Sequence, residues 1–156
     1  GVKFAMLRNI SSRFKYSCFV NIVEEMELNL YPESQRSVLF DLLSYANKIE
    51  LNRLVLTTHS PYVINYLTLA AKAFLLTQKV SANETLQERI KEVVPADSAI
   101  DPARLRIYEL KDGGVFRLST YEGLPSDENF LNIQLGVTNE LFDQLLEIEQ
   151  EFDYKN

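Results

Sequence analysis

A chain of 156 residues with 46% hydrophobic side chains is long enough to bury a core as one compact domain. Its net charge of -6 and pI of 4.9 argue against a broad nucleic-acid footprint, which needs clustered Lys and Arg. The single cysteine, Cys18, excludes a disulfide framework and a cysteine-built zinc site.

No signal peptide is visible, and a reducing cytoplasm is the expected compartment. The longest apolar stretch, YVINYLTLAAKAFLL, is interrupted by Asn65 and Lys72 and is too short to span a bilayer. Residue 1 is Gly rather than Met, so the start reads as a chain boundary or a processed end.

In chain order, Phe4, Leu7 and Ile10 predict a helix over residues 2–14. SCFVNIVE, residues 17–24, is a short apolar run rich in β-formers and reads as a buried strand. Asn21 is a blemish there, because a buried amide needs partners. Pro32 suits the first turn of a helix running to about residue 49, with Val38, Leu39, Leu42, Ala46 and Ile49 as its apolar stripe. RLVLTT, residues 53–58, is a second buried strand. Ser60 is expected to cap the next helix and Pro61 to open it, with Val63, Ile64, Leu67, Ala71, Phe74 and Leu75 inside.

SANE, residues 81–84, has the form of a capping box for a short polar helix. RLRIYELKDGGVFRLSTY alternates around Asp112-Gly113-Gly114 and predicts a hairpin. A final acidic helix is expected from about Asn139 to Phe152. The fold class is therefore α/β. The strand–helix–strand unit implies a parallel pair with a right-handed crossover, and ligands gather beyond the carboxyl ends of such strands. Glu24-Glu25 and Thr57-Thr58-His59 both fall at those ends.

Consecutive strand residues point to opposite faces, so Glu24 and Glu25 do different work. One can serve the water shell of a magnesium ion, the other an attacking water. His59, one strand away, can reach a terminal phosphate. Singly, paired glutamates after a strand are usually a solvated loop start, and a lone histidine is usually structural. The combination is what carries a functional reading. Against a phosphate loop within this chain, the five glycines are Gly1, Gly113, Gly114, Gly123 and Gly136, so no Gly-rich loop lies between residues 2 and 112.

NIVEEMELNLYPESQ resembles the Walker B and D-loop segment of ABC-type ATPases, among them the RecF-like, SMC-like and OLD-like AAA families of bacteria, and LVLTTHSPYVI resembles their switch-histidine strand. The resemblance covers residues 17–66 specifically and the rest loosely. It implies part of a P-loop NTPase sheet with parallel strands, flanking helices and a C-terminal hairpin, residues 1–156 being the C-terminal half of an ATPase head. By position, Glu24 would hold the magnesium water shell, Glu25 would be the catalytic carboxylate, His59 the switch histidine, and Leu28 to Tyr31 the D-loop. Met26 stands where the pattern has proline, which implies a looser turn, and Tyr31 stands where histidine is frequent.

The same resemblance implies ATP and Mg²⁺ as cofactors, a phosphate-gripping N-terminal lobe outside this chain, and a head-to-head homodimer. The chain alone is expected to bind ATP weakly. DNA maintenance or phage defence, with a DNA or nuclease partner, is the implied context, although no Asp-x-Asp cluster of a nuclease is present. The rival expectation is a non-enzymatic α/β interaction module, towards which Asn21 and Met26 lean.

Overall fold

A computed structural model describes residues 18–155; the helix expected over residues 2–14 lies outside them. Strand β1 (Val20–Glu24) is followed by helix α1 (Pro32–Asn47), strand β2 (Arg53–Thr57) and helix α2 (Pro61–Lys79). β1 and β2 pair in parallel, from Val20 opposite Arg53 to Glu24 opposite Thr57. Asn52 locks the start of this pair. Its side-chain oxygen accepts from the Phe19 amide at 3.0 Å, and its side-chain NH₂ donates to the Tyr45 carbonyl at 3.1 Å.

The alternation of side chains makes one face of this sheet the floor of the core. Val23, Leu54 and Leu56 pack against a cluster that includes Leu39, Leu42 and Leu43 of α1 and Val63, Leu67 and Ala70 of α2. The other face is open: Val20 and Ile22 are 66% and 69% exposed. Both were expected to be buried strands, and for this face that expectation is corrected. An unbroken apolar run signals a strand covered on both sides, but these residues supply a helical layer for one side only. Asn21 is half-buried, not enclosed.

Helix α3 (Glu84–Val93) follows. Its cap is Asn83, whose side chain accepts from the Leu86 amide at 3.0 Å, and not Ser81 as the SANE pattern suggested. The segment after α3 crosses the α1–α2 pair as a strap. Ser98 donates to the Phe40 carbonyl at 2.9 Å, Asn47 donates to the carbonyls of Asp97 and Ala99, and the Ile100 amide bonds to the Ala70 carbonyl. Val94, fully enclosed, fills the space beneath.

Strands β3 (Tyr108–Lys111) and β4 (Gly114–Arg117) pair antiparallel. Asp112 and Gly113 turn between them at φ of +50° and +73°, the left-handed geometry that a two-residue hairpin turn requires. β5 (Thr120–Tyr121) and β6 (Leu124–Pro125) form a second short ribbon. Among the described residues these ribbons do not extend the β1–β2 sheet; the three strand pairs are separate.

Helix α4 (Phe130–Lys155) is longer than expected, beginning nine residues before Asn139 in its 26 residues. Asn129 caps it through the Asn132 amide at 3.0 Å, and Glu109 of β3 accepts from the Phe130 amide at 2.6 Å. No helix among the described residues is long and apolar enough to cross a membrane.

Candidate functional site

The parallel pairing of β1 and β2 brings their carboxyl ends side by side, and both chains turn there. After Glu24, residues 25–30 make two successive tight turns, closed by Leu28 N–H to Glu25 C=O at 3.0 Å and Leu30 N–H to Glu27 C=O at 2.9 Å. Glu25 and Asn29 adopt positive φ, +44° and +60°. Asn accepts this conformation readily; a glutamate does so only when its surroundings hold it there. The hold on Glu25 is visible: its amide donates to both the carbonyl (3.0 Å) and the hydroxyl (3.2 Å) of Thr57.

This conformation turns the Glu25 carboxylate towards the end of β2. Its Oε1 lies 3.4 Å from His59 Nε2, and both side chains keep solvent access, with the imidazole 84% and the carboxylate 48% exposed. The pair is thus a surface contact, longer than a hydrogen bond and open to a third group. Glu24, the last residue of β1, stands opposite Thr57 and is exposed with Val20 and Ile22 on the open face of the sheet. The structure therefore brings Glu25 and His59 together and sets Glu24 beside them on the neighbouring face.

Two further residues build this site. Glu27 Oε1 accepts from the Thr58 hydroxyl at 2.8 Å and from the His59 amide at 2.6 Å. Gln35, buried in the first turn of α1, donates to the Leu30 carbonyl at 3.0 Å and accepts from the Ser60 hydroxyl at 2.6 Å. These bonds tie the turn after β1 to the turn after β2. Ser60 sits at the N-cap position of α2, as expected, but its hydroxyl goes to Gln35 and makes no cap bond. Met26 does not loosen the turn. Its side chain is 7% exposed and belongs to the core cluster, so it anchors the turn from below. Tyr31 is exposed and precedes Pro32 at the head of α1 without a side-chain cap.

Among the described residues no group of three or more His, Cys, Asp or Glu side chains is arranged to hold a metal ion unaided. Magnesium does not need one. It commonly keeps several waters and takes one or two protein carboxylates plus phosphate oxygens. The adjacent carboxylates of Glu24 and Glu25 at a strand end fit that donor set.

Residues 20–65 match the family model described as an AAA domain, putative AbiEii toxin, type IV toxin–antitoxin system. This segment is AAA-ATPase-like. The match starts at the first residue of β1 and ends inside α2, so it contains Glu24, Glu25, Glu27, Gln35, His59 and Ser60. It covers less than half of the chain, and it points to nucleotide binding. No curated protein and no solved structure matches the chain.

Proposed function

We propose that the ends of β1 and β2 form the hydrolytic edge of a magnesium-dependent ATP site. The phosphate-gripping half would come from another segment of polypeptide, in a head-to-head pair of such units. The observation that carries this reading is Glu25, held at a φ of +44° with its carboxylate 3.4 Å from His59 Nε2. A solvated loop start has no need of a glutamate in left-handed backbone. The AAA-type match over residues 20–65 supports the same reading.

In this reading Glu25 accepts a hydrogen bond from the attacking water and aims it, a role that needs a negative acceptor free to meet solvent. His59 donates through its ring to an oxygen of the terminal phosphate, and its contact with Glu25 keeps the two groups converging on one point. Glu24 holds the water shell of the ion from the adjoining face. Magnesium, when bound, supplies positive charge against the phosphates. DNA maintenance or phage defence is the proposed setting.

Glu25→Gln in the full-length protein tests the assignment, because it keeps shape and hydrogen-bonding capacity and removes the charge. Hydrolysis is expected to fall by about two to four decades, the usual contribution of a positioned acid–base group. ATP affinity measured by calorimetry is expected to hold. Unchanged turnover per folded molecule would overturn the proposal.

A further inference from the structure

We propose that Glu27 is a positioning residue that sets His59 against Glu25, and so governs hydrolysis without touching nucleotide. The inference rests on the ATPase reading for its catalytic consequence and on the hydrogen bonds alone for its structural part.

The His59 ring is 84% exposed, and its contact with Glu25 is a loose 3.4 Å. Neither packing nor a strong bond fixes such a ring, so its direction follows from the backbone beneath it. That backbone is held by Glu27. One oxygen, Oε1, grips two consecutive residues, through the Thr58 hydroxyl at 2.8 Å and the His59 amide at 2.6 Å. The Thr58 hydroxyl accepts in turn from the Ser60 amide at 3.0 Å, and the Ser60 hydroxyl is bound by Gln35. His59 therefore has a fixed residue on each side while its own ring is left to solvent.

The second oxygen of Glu27, Oε2, is enclosed and has no hydrogen-bond partner among the described residues. Such an orphaned atom lowers stability. A residue selected only to hold the turn together would avoid it. A carboxylate is explained if the short, charge-assisted bond to the His59 amide is what the site requires, since a charged acceptor makes shorter and stronger bonds than a neutral one. The two turns deliver that carboxylate: Glu27 stands two residues after Glu25, within the same pair of turns. Glu25 and His59 are thus both set from this turn, one through its backbone and the other through Glu27.

Two measurements test this. The first uses the chain itself. His59 is the single histidine, so its ring signals in an NMR spectrum are unambiguous. In the native chain the His59 amide proton is expected far downfield, as for a short bond to a carboxylate. Glu27→Ala should return it to the ordinary range and shift the ring signals. A folded Glu27→Ala chain with His59 amide and ring signals unmoved would overturn the proposal.

The second uses the full-length protein and a double-mutant cycle. Glu27→Ala is expected to lower kcat by about tenfold with KM unchanged, the pattern of a group that acts in the transition state only. Because Glu27 acts through His59, adding Glu27→Ala to His59→Ala should cost less than about twofold more, whereas independent sites would multiply. Glu27→Gln keeps a carbonyl acceptor and should recover part of the lost turnover. Multiplicative losses, or a kcat per folded molecule unchanged in Glu27→Ala, would refute the positioning role. His59→Ala alone reports on the earlier reading: if it leaves hydrolysis intact, the role proposed for His59 at the terminal phosphate fails whatever the NMR result for Glu27.

Discussion

Leu39 of α1 and Leu145 of α4 hold similar places in the apolar stripes of their helices, yet the first is 0% and the second 63% exposed. The contrast extends along both elements. α1 and α2 bury their stripes against each other, against one face of the β1–β2 pair and under the strap after α3. Near its start α4 is tied down through Asn129, Glu109 and a 3.4 Å contact from Asn132 to Asn65, while Leu141, Phe142 and Ile148 further along are exposed. Helical spacing of apolar residues forecasts a helix and its stripe equally well in both places. Whether a stripe is covered depends on what packs across from it, and local spacing carries no information about that.

The most forceful way to break the comparison is to truncate both leucines. Leu39→Ala should destabilise the chain by about 3 kcal/mol, within the range for fully enclosed leucines. Leu145→Ala should change stability by less than about 0.5 kcal/mol, as for an exposed position. Urea unfolding followed by circular dichroism gives both values. Equal losses would mean that α4 is packed in solution as tightly as α1.

A smaller effect is expected at the junction of the two turns. Gln35→Ala removes the acceptor of the Ser60 hydroxyl and the donor to Leu30 inside a buried pocket. About 1–3 kcal/mol should be lost, the penalty for leaving buried partners unsatisfied. Replacing Asn132, whose bonds near the start of α4 are at the surface, should cost far less, both values being read from the same urea unfolding.

Gly136 gives the finest discrimination. It lies within α4 with nothing near the position a Cβ would take. Gly136→Ala should strengthen that helix locally by about 0.5–1 kcal/mol. If α4 is energetically separate from the packed unit, hydrogen exchange will slow along α4 while the exchange of α1 amides stays as it was. A matching rise in the protection of α1 would show that the two regions unfold together.

Much of the packed region was legible in the sequence. Both strands, both helices and Pro32 and Pro61 at the helix starts follow from local pattern. The approach of Glu25 to His59 follows from one topological step, the parallel pairing that aligns the two strand ends. The remainder needed tertiary information. Gln35 and Glu27 looked like ordinary polar residues of a helix start and a turn, because their partners lie 25 to 32 positions away. Asn29 is a residue that announces left-handed backbone; Glu25 is not, so the geometry of the first turn was hidden. Gly136 and the β-branched pair Val137-Thr138 masked the first turns of α4, and its start depends on a carboxylate from β3, which no local pattern reveals. The open sheet face was missed for the reason that separates Leu39 from Leu145.

The left-handed backbone at position 25 also constrains which replacements a mutational library could return there. Val, Ile and Thr are excluded by sterics before chemistry is consulted, because a branched Cβ collides in that region. Gly and Asn satisfy the backbone and forfeit the charge. Gln retains the length and forfeits the charge as well. Asp alone combines tolerance of the conformation with a carboxylate, one methylene shorter than the native side chain. On the role proposed for Glu25, selection for folding and selection for turnover would therefore draw different alphabets from the same codon, and their intersection at position 25 would be limited to the two acids.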